Sequence, residues 1–271
     1  MSDGKIIIEK QDLTYLEWSH ARTSSGTAGT FLKSEETANG KKLYYKLSNF
    51  DSEKGIIGHE CVNEIIVDRL LTLLEVDHLP YKLIHADVEI DGKIYDTWVC
   101  VSEDYKTRGE TKTALDAYYQ LNCVDNKSHY DFCVSQGWQQ YIDTMLAVDY
   151  IIQNRDRHGA NIEILRNARA KTIRIAPLFD HGLSLLFSCQ NDKDVDIFDV
   201  SVDRQCQNFI GTKSTLENLN LIKDKKNIFL GSISEDSKNI IFADLEEVIS
   251  QKLIDKIWKM IYSRWCYYES L

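Results

Sequence analysis

The sequence predicts an α+β protein built as two lobes, and three features predict it. Residues up to about 103 read mostly as short strands. Residues from about 104 read mostly as helices. No Pro-rich or Gly/Ser-rich linker lies between, since the only prolines of the 271 residues are Pro80 and Pro177. Lobes spanning 1–103 and 104–271 are therefore expected, packed closely against each other.

The strands come first. "KIIIE" (5–9), "TFLKS" (30–34) and "KLYYKLS" (42–48) are short and rich in β-branched and aromatic residues. Residues 81–102 read as a hairpin, with Asp91-Gly92 as the turn between two alternating runs. One helix interrupts them: over 59–76, Val62, Ile65, Ile66, Leu70 and Leu73 recur at helical spacing. In the second half, 113–122, 137–153, 214–223 and 245–265 carry apolar residues at three- and four-residue steps. Residues 162–165 and 172–176 read as a further hairpin.

Composition narrows the function. A hydrophobic fraction of 43% supports a proper core. The net charge of −10 argues against direct nucleic-acid binding, which needs a basic surface. Seven scattered cysteines show no C-x-x-C and no zinc-finger spacing, which suggests reduced thiols. No apolar run approaches the roughly 20 residues of a membrane span, and the N-terminus lacks a signal-peptide core. A cytoplasmic protein with no membrane association is expected.

The chemistry centres on "IIQNRDRHGAN" (151–161). Phosphoryl transfer from ATP needs a carboxylate on the attacking hydroxyl and oxygen ligands for magnesium. It also needs a lysine fixed by a glutamate, and a loop over the phosphates. Asp156 and Asn161, five apart after a long helix, have the spacing of a catalytic loop. Asp180 follows Leu178 and Phe179 and precedes Gly182, the setting of a metal-binding Asp at a strand end. Upstream, "RTSSGTAGTF" (22–31) places Gly26 and Gly29 beside Ser25, a segment whose amides could cover phosphates. Lys46 lies in the next strand, and Glu64 on the following helix.

Singly, each residue has a plainer explanation: Asp156 as a turn residue, His158 as a hydrogen-bonded structural residue, Lys46 and Glu64 as surface charges. Their joint order along the chain favours catalysis. Two other patterns are set aside. "GTKS" (211–214) lacks the upstream glycine of a phosphate loop, and 191–203 lacks the Gly and terminal Glu of a calcium loop.

With these motifs in hand, the sequence resembles the HipA-like kinases, bacterial serine/threonine kinases of persistence toxin systems. "VDYIIQNRDRHGANIEIL" and "APLFDHGLSLLF" carry most of the likeness, and 18–33, 58–71 and 207–222 extend it. The resemblance implies a two-lobed protein-kinase-like fold with ATP and magnesium as cofactors. It implies Asp156 as catalytic residue, Asn161 and Asp180 as metal ligands, and Lys46 on the phosphates with Glu64, or else Glu60, as its partner. It casts Trp98–Glu103, Val101 included, as the interlobe hinge whose backbone would meet adenine. It also implies a protein acceptor with Ser or Thr, autophosphorylation at Ser24 or Ser25, and an antitoxin partner. Two alternatives stand beside this reading. One is a phosphoinositide or small-molecule kinase with the same core; the other is a nucleotide-binding pseudokinase.

Overall fold

A computed structural model describes residues 4–19 and 31–271. Strands β1 (Lys5–Asp12), β2 (Lys33–Ala38) and β3 (Lys41–Leu47) lead to the small pair β4 (Phe50–Asp51) and β5 (Gly55–Ile56). Helix α1 (Glu60–Leu73) follows, then the hairpin β6 (Tyr81–Ile90) and β7 (Lys93–Glu103). Beyond it come β8 (Glu110–Ala114), α2 (Leu115–Asn122), α3 (His129–Ser135) and α4 (Gln139–Ile151). Next are β9 (Asp156–Arg157), a 3-10 turn (Gly159–Asn161), β10 (Glu163–Asn167) and β11 (Thr172–Ile175). The chain ends with α5 (Asp192–Ile197), β12 (Gln207–Asn208), α6 (Thr215–Asn218), α7 (Ser237–Ile241) and α8 (Gln251–Glu269).

The first half is a five-stranded sheet in the order β1-β6-β7-β3-β2. It is antiparallel except for β1, which runs parallel to β6. The turn at Asp91-Gly92 has positive φ at both residues, 53° and 78°, as a tight hairpin of this type requires. Pleating sends alternate side chains to opposite faces. Leu47, Val99 and Val101 go to one face, over Leu13, Leu16 and Leu32. Leu83 and Cys100 go to the other, against α1.

Helix α1 is buried on every side from Glu60 to Leu71, not along a single stripe. The sheet covers one side of it. Its apolar residues join one continuous core with Met145, Leu178, Leu186, Ile241 and Ile257 of the second half. The two halves thus share a core, and each large apolar side chain buried there contributes about 1.5–3 kcal/mol.

The large sheet ends at Glu103, and β8 joins β10 and β11 in a separate three-stranded sheet. The connector 104–109 is held by that second sheet. Arg174 donates from Nη2 to the Tyr105 carbonyl at 3.2 Å and pairs with Glu110 at 2.8 Å. The Tyr105 hydroxyl donates to Glu163, and its ring stacks on Phe179. Among the described residues all seven cysteines are free, and no helix is long and apolar enough to cross a membrane.

Candidate active site

The site is assembled around two peptide segments, 154–161 and 178–184. Helix α4 stops at Ile151 because Gln153 turns left-handed, with φ 51°. The Asn154 amide donates to Asp149 Oδ1 at 2.9 Å, folding the chain back on the helix end. Arg157 then fixes the loop from inside. Its guanidinium is 1% exposed and donates to Asp149 at 2.9 Å, to the Asn161 carbonyl at 3.2 Å and to the Phe179 carbonyl at 2.9 Å. One buried side chain therefore ties the end of α4, the turn carrying Asn161 and the residue before Asp180. A buried ion pair is tolerable only when its remaining donors are satisfied, as these are.

Asp156 and Asn161 meet within this frame. Asn161 donates from Nδ2 to the Asp156 carbonyl at 2.7 Å, so its amide oxygen is the atom left to coordinate a cation. Burial raises the Asp156 carboxyl pKa. His158, 3.7 Å away, opposes that, while Asp180 adds to it, and the net effect is a rise. Such a carboxyl is a better proton acceptor than an ordinary aspartate.

Asp180 stands in the left-handed region at φ 58°, a costly conformation for a non-glycine residue. Its surroundings hold it there. The Asp180 amide donates to the Tyr81 hydroxyl at 3.3 Å, and the His181 amide donates to Glu64 Oε2 at 2.9 Å. Asn63, fully buried, donates to the carbonyls of Gly182 at 2.9 Å and Ser184 at 3.1 Å. A side chain at Gly182 would press on Glu60 and Glu64, which explains the glycine.

Lys46 reaches both acidic partners. Its Nζ lies 2.9 Å from Glu64 Oε1 and 2.5 Å from Asp180 Oδ1. Burial lowers the Lys46 pKa, but Asp180 and Glu64 outweigh it and hold the ammonium charged. Burial likewise raises Asp180, but Lys46, Lys33 and Arg157 overcome this and keep its carboxyl well below the usual range. Of the two glutamates considered for Lys46, Glu64 forms the pair; Glu60 instead accepts from the Asn49 amide at 3.2 Å.

The chain thus brings together Lys46, Glu64, Asp156, Asn161 and Asp180. Cys100 is the residue opposite Lys46 in the sheet, so the Val101 side chain packs on the other face, and the adenine expectation concerns only the Val101 backbone. Residues 98–103, read as a hinge, form the last part of β7, which ends at Glu103. Gly26, Gly29, Ser24 and Ser25 lie outside the described residues. Tyr81, Asn63, Asp149 and Arg157 were not singled out from the sequence. A cavity of about 620 Å³ lined by Trp138, Tyr141, Ile175 and Leu178, among others, contains none of the site residues.

The oxygen donors suit magnesium. Among the described residues no cluster of three or more His, Cys, Asp or Glu side chains would hold a metal unaided. Magnesium needs none: it takes one or two protein oxygens together with phosphates and water. The ionised Asp180 and the free amide oxygen of Asn161 fit that demand.

No family model and no curated protein sequence matches the chain. Solved structures do. The Helicobacter pylori proinflammatory kinase CtkA superposes with a TM-score of 0.58 and 17% identity, over 93% of this chain and 93% of its own. HipA of Shewanella oneidensis MR-1, solved with HipB and operator DNA, matches 93% of this chain and 66% of its own. Its identity is 10% and its TM-score 0.44, too low to establish a common fold. The fold read from the sequence is borne out: this chain has the two-lobed α+β kinase fold that it shares with the Helicobacter pylori enzyme.

Proposed function

We propose that the protein is an ATP- and magnesium-dependent kinase of HipA-like type that phosphorylates a Ser or Thr hydroxyl on a protein. The observation that carries the reading is the meeting of Lys46, Glu64 and Asp180 in one ion-paired group, with Asp156 close enough to feel both Lys46 and Asp180. The residues come from the β-rich half, taken as 1–103, and the helical half, 104–271.

In this reading Asp156 orients the acceptor hydroxyl and takes its proton. Asn161 and Asp180 would hold magnesium, which when bound neutralises phosphate charge. Lys46 positions the phosphates and is itself aimed by Glu64. Rate enhancement then comes from positioning and charge stabilisation. As with the family it resembles, an antitoxin would be a partner, which copurification with the product of a neighbouring gene would reveal.

Intact-mass spectrometry after incubation with magnesium-ATP tests the activity. The wild type is expected to gain phosphate, with peptide mapping locating it at Ser24 or Ser25. Asp156→Ala is expected to gain none, since loss of a catalytic base costs on the order of 10²–10⁴ in rate, and Asp180→Ala none, since it would remove a magnesium ligand. Phosphate on both variants would remove these residues from the chemistry. Transfer to lipid vesicles and not to protein would move the acceptor to the phosphoinositide class.

A further inference from the structure

The cavity of about 620 Å³ that stands apart from the Lys46 group is as large as a small-molecule site, which spans roughly 300–1,000 Å³. It lies between the link from α1 to β6, the first turns of α4, strand β11 and the chain at 227–230. Trp138, Tyr141, Leu178 and Ile228 give it apolar walls, and two further lining residues, Ile173 and Leu230, are exposed. An apolar body entering it would therefore bury surface on both sides. Leu178 also links it to the chain behind: its amide donates to the Asp77 carbonyl at 3.2 Å, and its carbonyl accepts from the Leu79 amide at 2.8 Å. An occupant would rest on the stretch that ends at Asp180.

The charge of the lining is one-sided. Glu75 and Asp77 both line the cavity and are exposed, and neither side chain forms a hydrogen bond or ion pair with a described residue. Arg174 lines it too, but Glu110 takes its guanidinium through two hydrogen bonds of 2.9 and 2.8 Å. The amides that open α4 add about half a positive charge, less than the two carboxylates supply. Tyr141 adds a polar atom without a partner: its hydroxyl is buried and makes no hydrogen bond with a described residue. Burial raises the Tyr141 pKa, Arg157 opposes this, and Asp149 and Asp77 add to it, so the hydroxyl stays protonated within reach of the Asp77 charge. A protonated phenol still accepts a hydrogen bond through its oxygen. Carboxylates beside indole and phenol rings are the surroundings that an ammonium group favours.

We propose that this cavity binds a small organic cation, with its apolar body against Trp138, Leu178 and Ile228 and its ammonium group toward Glu75, Asp77 and the Tyr141 hydroxyl. The site is separate from the Lys46 group and does not depend on the nucleotide reading.

The test is an NMR titration with three probes that share one body and differ in the head: 4-phenylbutylammonium, 4-phenylbutanol and 4-phenylbutyrate. The ammonium is expected to bind the wild type about tenfold more tightly than the alcohol, and the carboxylate more weakly than either. The Trp138 indole N–H resonance, assigned with Trp138→Phe, is expected to shift as the ammonium binds. In the double variant Glu75→Gln, Asp77→Asn, both positions being exposed, thermal unfolding is expected to match the wild type. There the ammonium is expected to fall to the affinity of the alcohol, with the alcohol unchanged. No saturable binding of the ammonium, equal or tighter binding of the carboxylate, or a Trp138 resonance that does not move would overturn the proposal. Ammonium affinity untouched in the double variant would overturn it as well.

Discussion

Asn63 has no solvent exposure, and its amide group donates to two carbonyls of the loop that carries Asp180. Asn63→Ala would leave both carbonyls buried without their donor, at a cost of about 2–3 kcal/mol. Thermal unfolding is expected to show a midpoint several degrees lower. Activity should fall further than stability explains, because Asp180 loses its support; a variant with full activity would show that the loop holds itself. The five residues read as chemistry were legible because each has a type and spacing that phosphoryl transfer needs. Asn63, Tyr81 and Asp149 were not, because a polar residue on a helix or strand reads as surface until its partner is known. Arg157 lay inside the quoted motif and was passed over for the same reason: nothing local shows that an arginine will be 1% exposed.

Among the elements, α1 departs furthest from its pattern. Its apolar positions read as one stripe, but the sheet and the helical half enclose it from both sides. Periodicity detects a helix with one buried face and cannot reveal that the opposite face is buried too. Helix α8 was placed from 245 and begins at Gln251, where the Ser250 hydroxyl accepts from the Leu253 amide at 3.3 Å. That capping serine was a visible signal. Elements of two to seven residues, such as β4, β5, β9, β12, α3, α5 and α7, are too short for periodicity to register.

At the start of α1, His59 is buried, and burial pushes its pKa down from 6.5 to about 4. The unfolded chain takes up a proton first, so the contribution is complete above pH 6.5 and is lost as pH falls toward 4. Denaturant unfolding should show up to about 3 kcal/mol lost across that window. His59→Gln should flatten this part of the profile, and an unchanged slope in the variant would place the acid sensitivity elsewhere.

At the scale of the whole molecule, two halves of different composition share one core, and the candidate site lies where they meet. Arg157 is the strongest tie on the catalytic side. Arg157→Met leaves Asp149 buried and uncompensated, which should cost about 3–5 kcal/mol. It also frees the Asn161 turn from Phe179, so chemical denaturation and phosphoryl transfer should both report the loss. An acidic chain of net charge −10 still gathers Lys46 with Glu64 and Asp180 in one ion-paired group. The two-lobe plan was legible from the change in periodicity near 104. The parallel β1–β6 edge was not, because pairing partners distant in sequence leave no local mark.

The central claim is that the group formed by Lys46, Glu64, Asp156, Asn161 and Asp180 is a metal-dependent nucleotide site. Calorimetric titration of ATP into the protein, with magnesium and then with excess chelator, tests it most directly beside Asp180→Asn and Lys46→Met. The expected result is binding to the wild type that weakens at least about tenfold without magnesium, loses most of that magnesium dependence in Asp180→Asn, and is weak under both conditions in Lys46→Met. No binding to the wild type, or binding indifferent to magnesium and to both substitutions, would contradict it.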